Sequence, residues 1–510
     1  MLAIVNSCAV YGMEGFIVRV EVDISAGLPA FDIVGLPDTA VKESKERVRA
    51  ALKNSGFDFP MRRITVNLAP ADIKKEGALF DLPIALGILA ATDQLRAAEI
   101  FSRTVFAGEL SLDGLLRPIS GALAIGDSLS GNEQLDTFIL PAANAEEAAL
   151  IDGIRVFGAD NILQLVEFLR GDRVIEQVKT DPLTIFNLAS SQDGLDMSDI
   201  KGQVFAKRAL EVAAAGGHNL SLVGPPGSGK TMLAQRFSTI LPPLTLEESL
   251  EVTKIYSVAG LLTSGQSLLT QRPFRAPHHG ASSAAVIGGG THPRPGEVSL
   301  ASHGVLFMDE MPEFHRDVLE ALRQPLEDRE VTIARVSGRV SYPASFQLVA
   351  AFNPCPCGYR GDPVKECTCT MYAVKRYLNK LSGPLWDRID IHIEVPRVQY
   401  GEISSQRAGE SSAVIRQRVI KARAIQQQRF VGTKTTCNAF MERRQLQKYC
   451  KLDEEAGELL KAAFAQLSLS ARSHDRILKV ARTIADLSAK DLIGVEEMAE
   501  ALQYRRVSAE

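Results

Sequence analysis

The 510-residue sequence has few cysteines and no long apolar run. Seven cysteines are an odd, low count for this length, which excludes a disulfide scaffold and favours a reducing, cytoplasmic setting. The most apolar stretch, Leu82–Ala91, contains Pro83 and falls well short of the roughly 20 residues that a membrane span needs. No basic residue precedes Arg19 and no uninterrupted apolar core follows the start, so we expect neither a secretory signal nor a membrane partner.

The sequence also lacks a strong net charge, which excludes a polycation that coats nucleic acid over its whole surface. Its 57 basic and 61 acidic residues give a net charge of -4, and 45% of its residues are hydrophobic, as in a folded globular protein. The charge is nevertheless uneven, because residues 396–510 carry 20 basic and 14 acidic side chains, against 37 and 47 in residues 1–395. Ten of these basic residues lie within 416–451, where Glu442 is the one acid.

The chain is long enough for two or three domains, and its patterns divide it into four regions. Residues 1–170 mix strand-like alternation with helical spacing, as in Thr39–Asn54, and predict an α/β domain. Residues 171–198 are rich in turn-forming residues and predict a linker. A second α/β domain is expected over 199–396, and the helical stripes of 397–510 predict a mostly helical domain.

The most specific motif is a phosphate-binding loop. The apolar strand Leu220–Val223 leads into a glycine-rich turn and then into a helix, an arrangement in which backbone N–H groups cradle phosphate oxygens. Lys230 would reach the β- and γ-phosphates of ATP, and the Thr231 hydroxyl would bind Mg²⁺. The alternative is an incidental glycine-rich turn, and the flanking strand and helix count against it. The predicted loop consists of Gly224, Pro225, Pro226, Gly227, Ser228, Gly229, Lys230 and Thr231.

Polar residues at two later strand ends complete a predicted ATPase site. One apolar strand ends in Asp309 and Glu310; Asp309 is expected to help bind the nucleotide and its Mg²⁺, and Glu310 to polarise the attacking water. The next apolar strand ends in Asn353, which would orient that water or contact the γ-phosphate. A turn-forming asparagine before Pro354 is the alternative for this position.

Two arginines are further catalytic candidates. Arg388 precedes the strand-like segment Ile391–Val395, and an arginine from a neighbouring subunit can stabilise the charge on a transferring γ-phosphoryl group. Arg472, at the head of a C-terminal helix, could reach the phosphates from a lid, and Arg476 competes with it one turn later. Surface salt bridges are the alternative for both positions.

In this order the motifs resemble the AAA+ ATPases, specifically the magnesium-chelatase-like branch with the ComM/YifB family, over essentially the whole chain. The resemblance implies an AAA+ phosphate-loop core with a helical C-terminal lid. It also implies a homo-oligomeric ring, expected to be a hexamer, that acts as a DNA helicase and drives branch migration during homologous recombination of incoming DNA in natural transformation. Recombination proteins would then be partners. The segments that carry the resemblance best are Phe274–His279, Gly288–Gly290, Pro293–Leu300, Leu322–Glu327 and Ala481–Leu487.

Residues 1–170 resemble the proteolytic domain of Lon-type proteases, an α/β fold shared with the ribosomal S5 domain 2-like domains. Leu79 occupies the position of the family's serine nucleophile, and Leu123 that of its lysine base. A leucine can neither attack a carbonyl nor take up a proton. We therefore expect the scaffold without peptidase activity.

Four of the seven cysteines lie within fifteen residues. Cys355 and Cys357 form one C-x-C pair, and Cys367 and Cys369 form a second pair after nine intervening residues. Four thiolates could hold a structural Zn²⁺ ion tetrahedrally. The spacing is tighter than the usual C-x₂₋₄-C of zinc sites, and reduced thiols in a packed loop are the alternative.

Two basic regions are candidates for contact with branched or single-stranded DNA. Val331–Tyr342 is predicted to form a hairpin that turns at Ser337-Gly338 and, by resemblance to related rings, points into the pore. Arg335 and Arg339 would there hold DNA phosphates without reading sequence. Residues 416–451 are the second candidate, with a solvated helix face as the alternative. A rival function is that of a magnesium-chelatase-type ATPase that remodels a partner protein, and the basic residues of 416–451 favour DNA.

Overall fold

The computed structural model describes residues 1–96, 98–188, 194–263, 265–290, 293–335, 338–398, 409–466 and 470–505. The chain forms two compact units, each made of two segments. The first unit consists of Met1–Ala189 and Thr245–Thr270, and the second of Ser190–Leu244 and Gln271–Glu510. Both units combine helices with a sheet, which confirms the predicted α/β class.

The first unit is built on an eight-stranded mixed sheet with the strand order β10-β9-β8-β5-β1-β2-β4-β3. Alternate residues of β2 are buried, as expected for a strand with one face on the core. Strands β6 and β7 form a separate two-stranded ribbon. The strands are β1 Leu2–Tyr11, β2 Glu14–Ser25, β3 Ala30–Val34, β4 Arg63–Ala69, β5 Thr104–Phe106, β6 Glu109–Leu110, β7 Leu116–Arg117, β8 Thr137–Pro141, β9 Arg155–Ala159 and β10 Gln177–Val178.

The helices of the first unit follow from local sequence signals. Thr39–Asn54 begins where predicted because the Asp38 side chain accepts a hydrogen bond from the Val41 backbone N–H at 2.7 Å. Asp81–Ala91 is buried on almost every side, as its uniformly apolar sequence indicates. The helices are Thr39–Asn54, Asp81–Ala91, Ala98–Arg103, Ala122–Leu129, Ala142–Ala148, Ile162–Arg170, Pro182–Leu188 and Leu246–Ala259.

Helix Leu246–Ala259 belongs to the first unit although its sequence lies inside the predicted second domain. The Gly121 backbone N–H donates to the Ser257 carbonyl at 3.0 Å, and the Ser257 hydroxyl donates to the buried Glu147 carboxylate. Lys254 Nζ lies 2.5 Å from Asp127 Oδ2. The structure therefore divides the chain differently from the predicted block 199–396.

The predicted linker 171–198 also differs from the structure. Strand β10 pairs with β9 in the first sheet, and helix Pro182–Leu188 follows it, so both lie within the first compact unit. Residues 189–193 of this segment lie outside the described part of the chain.

The second unit is built on a parallel sheet of five strands in the order β12-β15-β18-β11-β19. Strands β15, β18 and β11 are adjacent and parallel, so their carboxyl ends meet at one edge of the sheet. Ligands bind at this edge in open parallel sheets. The strands of this unit are β11 Leu220–Val223, β12 Phe274–Arg275, β13 Gly288–Gly289, β14 Arg294–Pro295, β15 Val305–Met308, β16 Glu330–Arg335, β17 Gly338–Pro343, β18 Gln347–Phe352 and β19 Ile391–Glu394.

The predicted helical C-terminal region is confirmed, since its described residues form five α-helices and one 3₁₀-helix. None of the helices in the described part of the chain is both long and apolar enough to cross a membrane. The helices of the second unit are Val204–Gly216, Lys230–Ile240, Ser283–Ile287, Glu297–Leu300, Arg316–Ala321, Arg323–Asp328, Met371–Leu378, Gly383–Trp386, Ser412–Arg429, Arg443–Tyr449, Glu454–Gln466, Ala471–Leu487 and Val495–Gln503.

Candidate nucleotide-binding site

The predicted phosphate loop lies at the end of β11 and leads directly into helix Lys230–Ile240. A Cβ atom on Gly224 would lie 2.2 Å from the Val395 carbonyl oxygen, so only glycine allows this approach of two backbones. Gly227 and Gly229 have φ angles of +77° and +90°, which glycine adopts without steric cost. The glycines of the motif are therefore required by the turn itself.

The Lys230 side chain is held inside this loop. Its Nζ donates to the carbonyl oxygens of Gly224 at 2.7 Å and Pro225 at 2.9 Å, and to Asn353 Oδ1 at 3.2 Å. Burial lowers the pKa of Lys230 below its usual value, and the nearby carboxylates of Asp309 and Glu310 oppose this effect. The ammonium thus has neutral oxygen partners, which a phosphate could replace with stronger, charge-assisted hydrogen bonds.

Thr231 and Asp309 meet beside the loop, as the motif spacing predicts. The Thr231 hydroxyl donates to Asp309 Oδ2 at 3.1 Å, and Asp309 Oδ1 accepts the Glu310 backbone N–H at 3.0 Å. Hydroxyl and carboxylate oxygens are the hard ligands that Mg²⁺ prefers in phosphate sites. The donor set of this pair therefore fits a magnesium ion that also binds a nucleotide.

Glu310 follows β15 with a φ angle of +52°, an uncommon conformation for a residue other than glycine. Its side chain is 53% exposed, and its Oε2 lies 3.5 Å from Nδ1 of His279. An exposed carboxylate at this edge of the sheet is accessible to water. The sequence analysis did not predict His279 as a site residue. The only sequence feature that pointed to it is that it ends Phe274–His279, one of the segments that carry the family resemblance.

Comparisons with known proteins give matches over nearly the whole chain. The family described as magnesium chelatase, subunit ChlI, matches residues 196–403, subunit ChlI of Mg-chelatase matches 20–144, and the ChlI C-terminal family matches 409–505. Competence protein ComM of Haemophilus influenzae is 46% identical over 510 residues, covering 99% of this chain and 97% of the relative. The proteins named YifB from Salmonella typhimurium and Escherichia coli are 45% and 44% identical, each covering 99% of this chain and 97% of the relative.

The chain belongs to the magnesium-chelatase-like ComM/YifB family. The AAA+ fold class predicted for the second unit is confirmed, and membership of an AAA+-like family indicates an ATPase that uses Mg²⁺. The comparisons assign residues 20–144 to the ChlI subunit family, so the likeness of the first unit to Lon-type proteases stays a prediction.

In the described part of this ComM/YifB-family chain, neither Arg388 nor Arg472 contacts the phosphate loop. Arg388 is paired with Glu327 and donates to the Pro384 carbonyl at 2.5 Å. Within one chain it therefore forms a salt bridge, which is the predicted alternative to a catalytic role. Arg472 is exposed in the first turn of its helix. Arg476 donates to Asp390 at 2.6 Å. Contribution of Arg388 or Arg472 to a second subunit stays a prediction.

Gln203 is a loop contact that the sequence analysis missed. Its Nε2 donates to the Ser228 carbonyl at 2.6 Å, while its Oε1 is buried without a hydrogen-bond partner among the described residues. The residue lies 25 positions before Ser228, ahead of helix Val204–Gly216, and no local pattern singles it out. It leaves an unsatisfied acceptor next to the phosphate loop.

A cavity of about 960 Å³ adjoins the loop at Gly224 and Pro225. Trp386 lines it and stacks on His392, with 4.5 Å between the ring centroids. Burial lowers the pKa of His392 to about 3, so its ring is neutral at pH 7. Binding pockets of this volume accommodate nucleotide-sized ligands, and aromatic walls suit a base.

The predicted hairpin is present as β16 and β17, with Arg335 opposite Gly338. Gly338 is therefore paired in β17, whereas a turn at Ser337-Gly338 would leave it unpaired. Residues 336–337 lie outside the described part of the chain. The Arg339 side chain is exposed, with Thr332 Oγ1 at 3.5 Å. The side chain of Arg335 lies outside the described residues.

Part of the basic run 416–451 is used inside the protein. Arg418 pairs with Glu211 and Glu410, both at 2.5 Å, and Arg429 pairs with Asp486 at 2.5 Å. Sequence counting did not reveal these pairs because the acids at 211 and 486 are distant along the chain. Six basic side chains of the run are exposed, namely Lys421, Lys434, Arg443, Arg444, Lys448 and Lys451.

The two leucines at the protease-like positions lie in apolar surroundings. Leu123 is 1% exposed and packs in a small cluster with Leu150 and Leu268 of the first unit. Leu79 is partly buried against two apolar clusters of the same unit. Both side chains contribute to packing.

The structure brings the four clustered cysteines together. Their sulfur atoms all lie within 4.8 Å of one another, a set that could hold a metal ion. The cysteines are Cys355, Cys357, Cys367 and Cys369.

Proposed function

We propose that this chain is an ATP-driven ring motor on DNA, with helicase activity that promotes branch migration when incoming DNA recombines. The observation that carries the proposal is the meeting of Lys230, Thr231, Asp309 and Asn353 at one edge of a parallel sheet. The relative from Haemophilus influenzae is named a competence protein, which supports a role in natural transformation. Such a protein acts in the cytoplasm.

Each residue of the site has a separate task in hydrolysis. Lys230 exchanges its carbonyl partners for the phosphates of ATP, and Thr231 and Asp309 would hold Mg²⁺. When bound, that ion neutralises charge on the phosphate oxygens. Asn353 orients the γ-phosphate or the attacking water. Glu310 accepts the proton from that water, because its carboxylate is exposed and has no strong ion pair among the described contacts.

The proposal requires a second subunit at each site, in a ring that we expect to be a hexamer. Arg388 is the residue for this role, since a guanidinium in trans stabilises charge that develops on the γ-phosphoryl group. In the single chain its Nε is buried without a hydrogen-bond partner, and its terminal nitrogens contact Glu327 and Pro384. Ring assembly would therefore have to exchange the contact with Glu327 for the neighbour's phosphates.

Exposed cations favour DNA over a protein partner. Arg339 lies on a hairpin arm, and the basic run 416–451 retains exposed lysines and arginines after its internal pairs are counted. Such groups bind phosphates without sequence preference, and binding then weakens steeply as salt rises, because counterions are released. A binding affinity for DNA that is independent of salt would contradict this assignment.

The test of the site compares Glu310→Gln with Glu313→Gln. Glu310→Gln should lower kcat about 10²- to 10⁴-fold, which is the usual contribution of a general base, and leave ATP affinity unchanged. Glu313 lies in the same turn but pairs with Lys380 at 2.9 Å, so Glu313→Gln should retain parental turnover. Steady-state phosphate release and binding of a fluorescent ATP analogue measure the two quantities. Parental turnover by Glu310→Gln would refute its assignment as the base.

A further inference from the structure

The cysteine cluster has the dimensions of a mononuclear metal site. Cys355 Sγ lies 3.4 Å from Cys357 Sγ and 3.6 Å from Cys367 Sγ, and Cys357 Sγ lies 3.6 Å from Cys367 Sγ. The backbone N–H of Cys357 donates to Cys369 Sγ at 3.3 Å. Three of the four residues are only partly buried, so packing in an apolar core does not account for their convergence.

These separations fit four thiolates around a single ion. With Zn–S bonds of about 2.3 Å, the edges of a sulfur tetrahedron are about 3.8 Å long. A disulfide would need about 2.05 Å between two sulfurs. An iron–sulfur cluster would hold the cysteines of different iron atoms farther apart than this, because iron and sulfide ions lie between them, whereas all four sulfurs here lie within 4.8 Å of one another. Four soft ligands in a closed tetrahedron are typical of structural zinc.

The segment that carries the four cysteines, residues 355–369 (the cysteine loop), lies directly against the phosphate loop. Gly358 has a φ angle of +86°, and a Cβ atom there would lie 2.7 Å from Pro226 Cδ and 3.6 Å from Asn353 Cγ. The turn is closed by a hydrogen bond from the Gly358 N–H to the Cys355 carbonyl at 3.0 Å. This contact leaves no room for a side chain, so a shift of the cysteine loop would displace Pro226, Asn353 or both.

We propose that Cys355, Cys357, Cys367 and Cys369 bind one Zn²⁺ ion that fixes the position of Asn353 and the phosphate loop. Because all four ligands come from the protein, the ion has a structural role and leaves no position for a substrate. Loss of the ion releases the loop that carries Gly358. The metal-binding part of this inference stands by itself, whereas the coupling to nucleotide affinity rests on the proposed function of Lys230.

Metal analysis of the full-length protein tests the first part. We expect about one zinc per chain by mass spectrometry of the purified protein, and loss of zinc in the double variant Cys367→Ser/Cys369→Ser. Cys450→Ala is the matched control, since Cys450 is buried elsewhere in the same unit and should leave zinc bound. Replacement of the metal by Co²⁺ should produce the visible absorption of a tetrahedral tetrathiolate site. Absence of metal, iron in place of zinc, or zinc retained by the double variant would overturn the inference.

Binding of a fluorescent ATP analogue tests the coupling. The double variant should bind the analogue about tenfold or more weakly than Cys450→Ala, which is the usual cost of losing one hydrogen bond to a charged group. If the double variant does not fold, zinc is removed from the parental protein with a chelator and then restored, and the affinity should fall and recover. An affinity that is unchanged without zinc contradicts the coupling. A parental protein that holds zinc but binds no nucleotide contradicts the proposed function instead, while the zinc site stands.

Discussion

Substitution of Asp486 by asparagine should sharply destabilise the second unit. The Asp486 carboxylate is fully buried and accepts hydrogen bonds from Arg429 Nη1 at 2.8 Å, Asn438 Nδ2 at 2.7 Å and Arg482 Nε at 3.0 Å. The Arg482 side chain is itself 2% exposed. Asp486→Asn retains the shape of the residue but removes the counter-charge of the buried Arg482 guanidinium and of the partly buried Arg429 guanidinium.

The expected loss is about 3–5 kcal/mol of unfolding free energy, the usual cost of removing one partner from a buried ion pair. Asp475→Asn on the same helix is the matched control. Asp475 is 48% exposed and its pair with His474 lies at the surface, so its loss should cost less than about 0.5 kcal/mol.

Urea denaturation followed by tryptophan fluorescence measures both values. Trp386 is the single tryptophan of the chain and lies in the second unit, so its emission reports the unfolding of that unit. A loss below about 1 kcal/mol for Asp486→Asn, or equal losses for the two variants, would refute the assignment of a buried charge cluster.

Three further results are expected. Gly224→Ala should abolish binding of a fluorescent ATP analogue because its Cβ would lie 2.2 Å from a backbone carbonyl oxygen, whereas Gly457→Ala, with open space around the Cβ, should bind normally. The unfolding free energy, measured by tryptophan fluorescence, should fall as pH drops below about 6.5, because the unfolded chain protonates His392 while the folded chain holds the pKa of His392 near 3. His392→Asn should reduce the dependence of the unfolding free energy on pH. An unchanged pH dependence in this variant would contradict a buried, neutral His392. Lys230→Ala and Arg388→Ala should each be inactive alone but regain phosphate release when mixed, if neighbouring subunits complete each site; no recovery would argue against Arg388 in trans.

Local chemistry explains why much of the fold and site could be predicted. Helix Thr39–Asn54 has its own cap and its own apolar stripe, so both ends were identified from the sequence. The phosphate loop is equally local, because its glycines are required by the turn that they form. The pairing of Thr231 with Asp309 is long-range, yet it followed from a general rule that carboxyl ends of neighbouring parallel strands meet.

The features that escaped prediction depend on contacts between distant segments. Helix Leu246–Ala259 has an ordinary helical pattern, which does not reveal that it packs in the first unit. For the basic run 416–451 the sequence predicts a DNA contact, with a solvated helix face as the alternative, whereas Arg418 and Arg429 pair inside the protein with acids that are distant along the chain. The contact of Gly358 with Pro226 joins two loops whose spacing carries no periodic signal.

The most direct measurement of the central claim is the steady-state rate of ATP hydrolysis by the full-length protein with and without branched or single-stranded DNA. The account predicts that DNA raises the rate, that the increase weakens as salt rises, and that Lys230→Ala abolishes it. A rate that is the same with every DNA offered, at low salt and with ATP bound, would contradict the account.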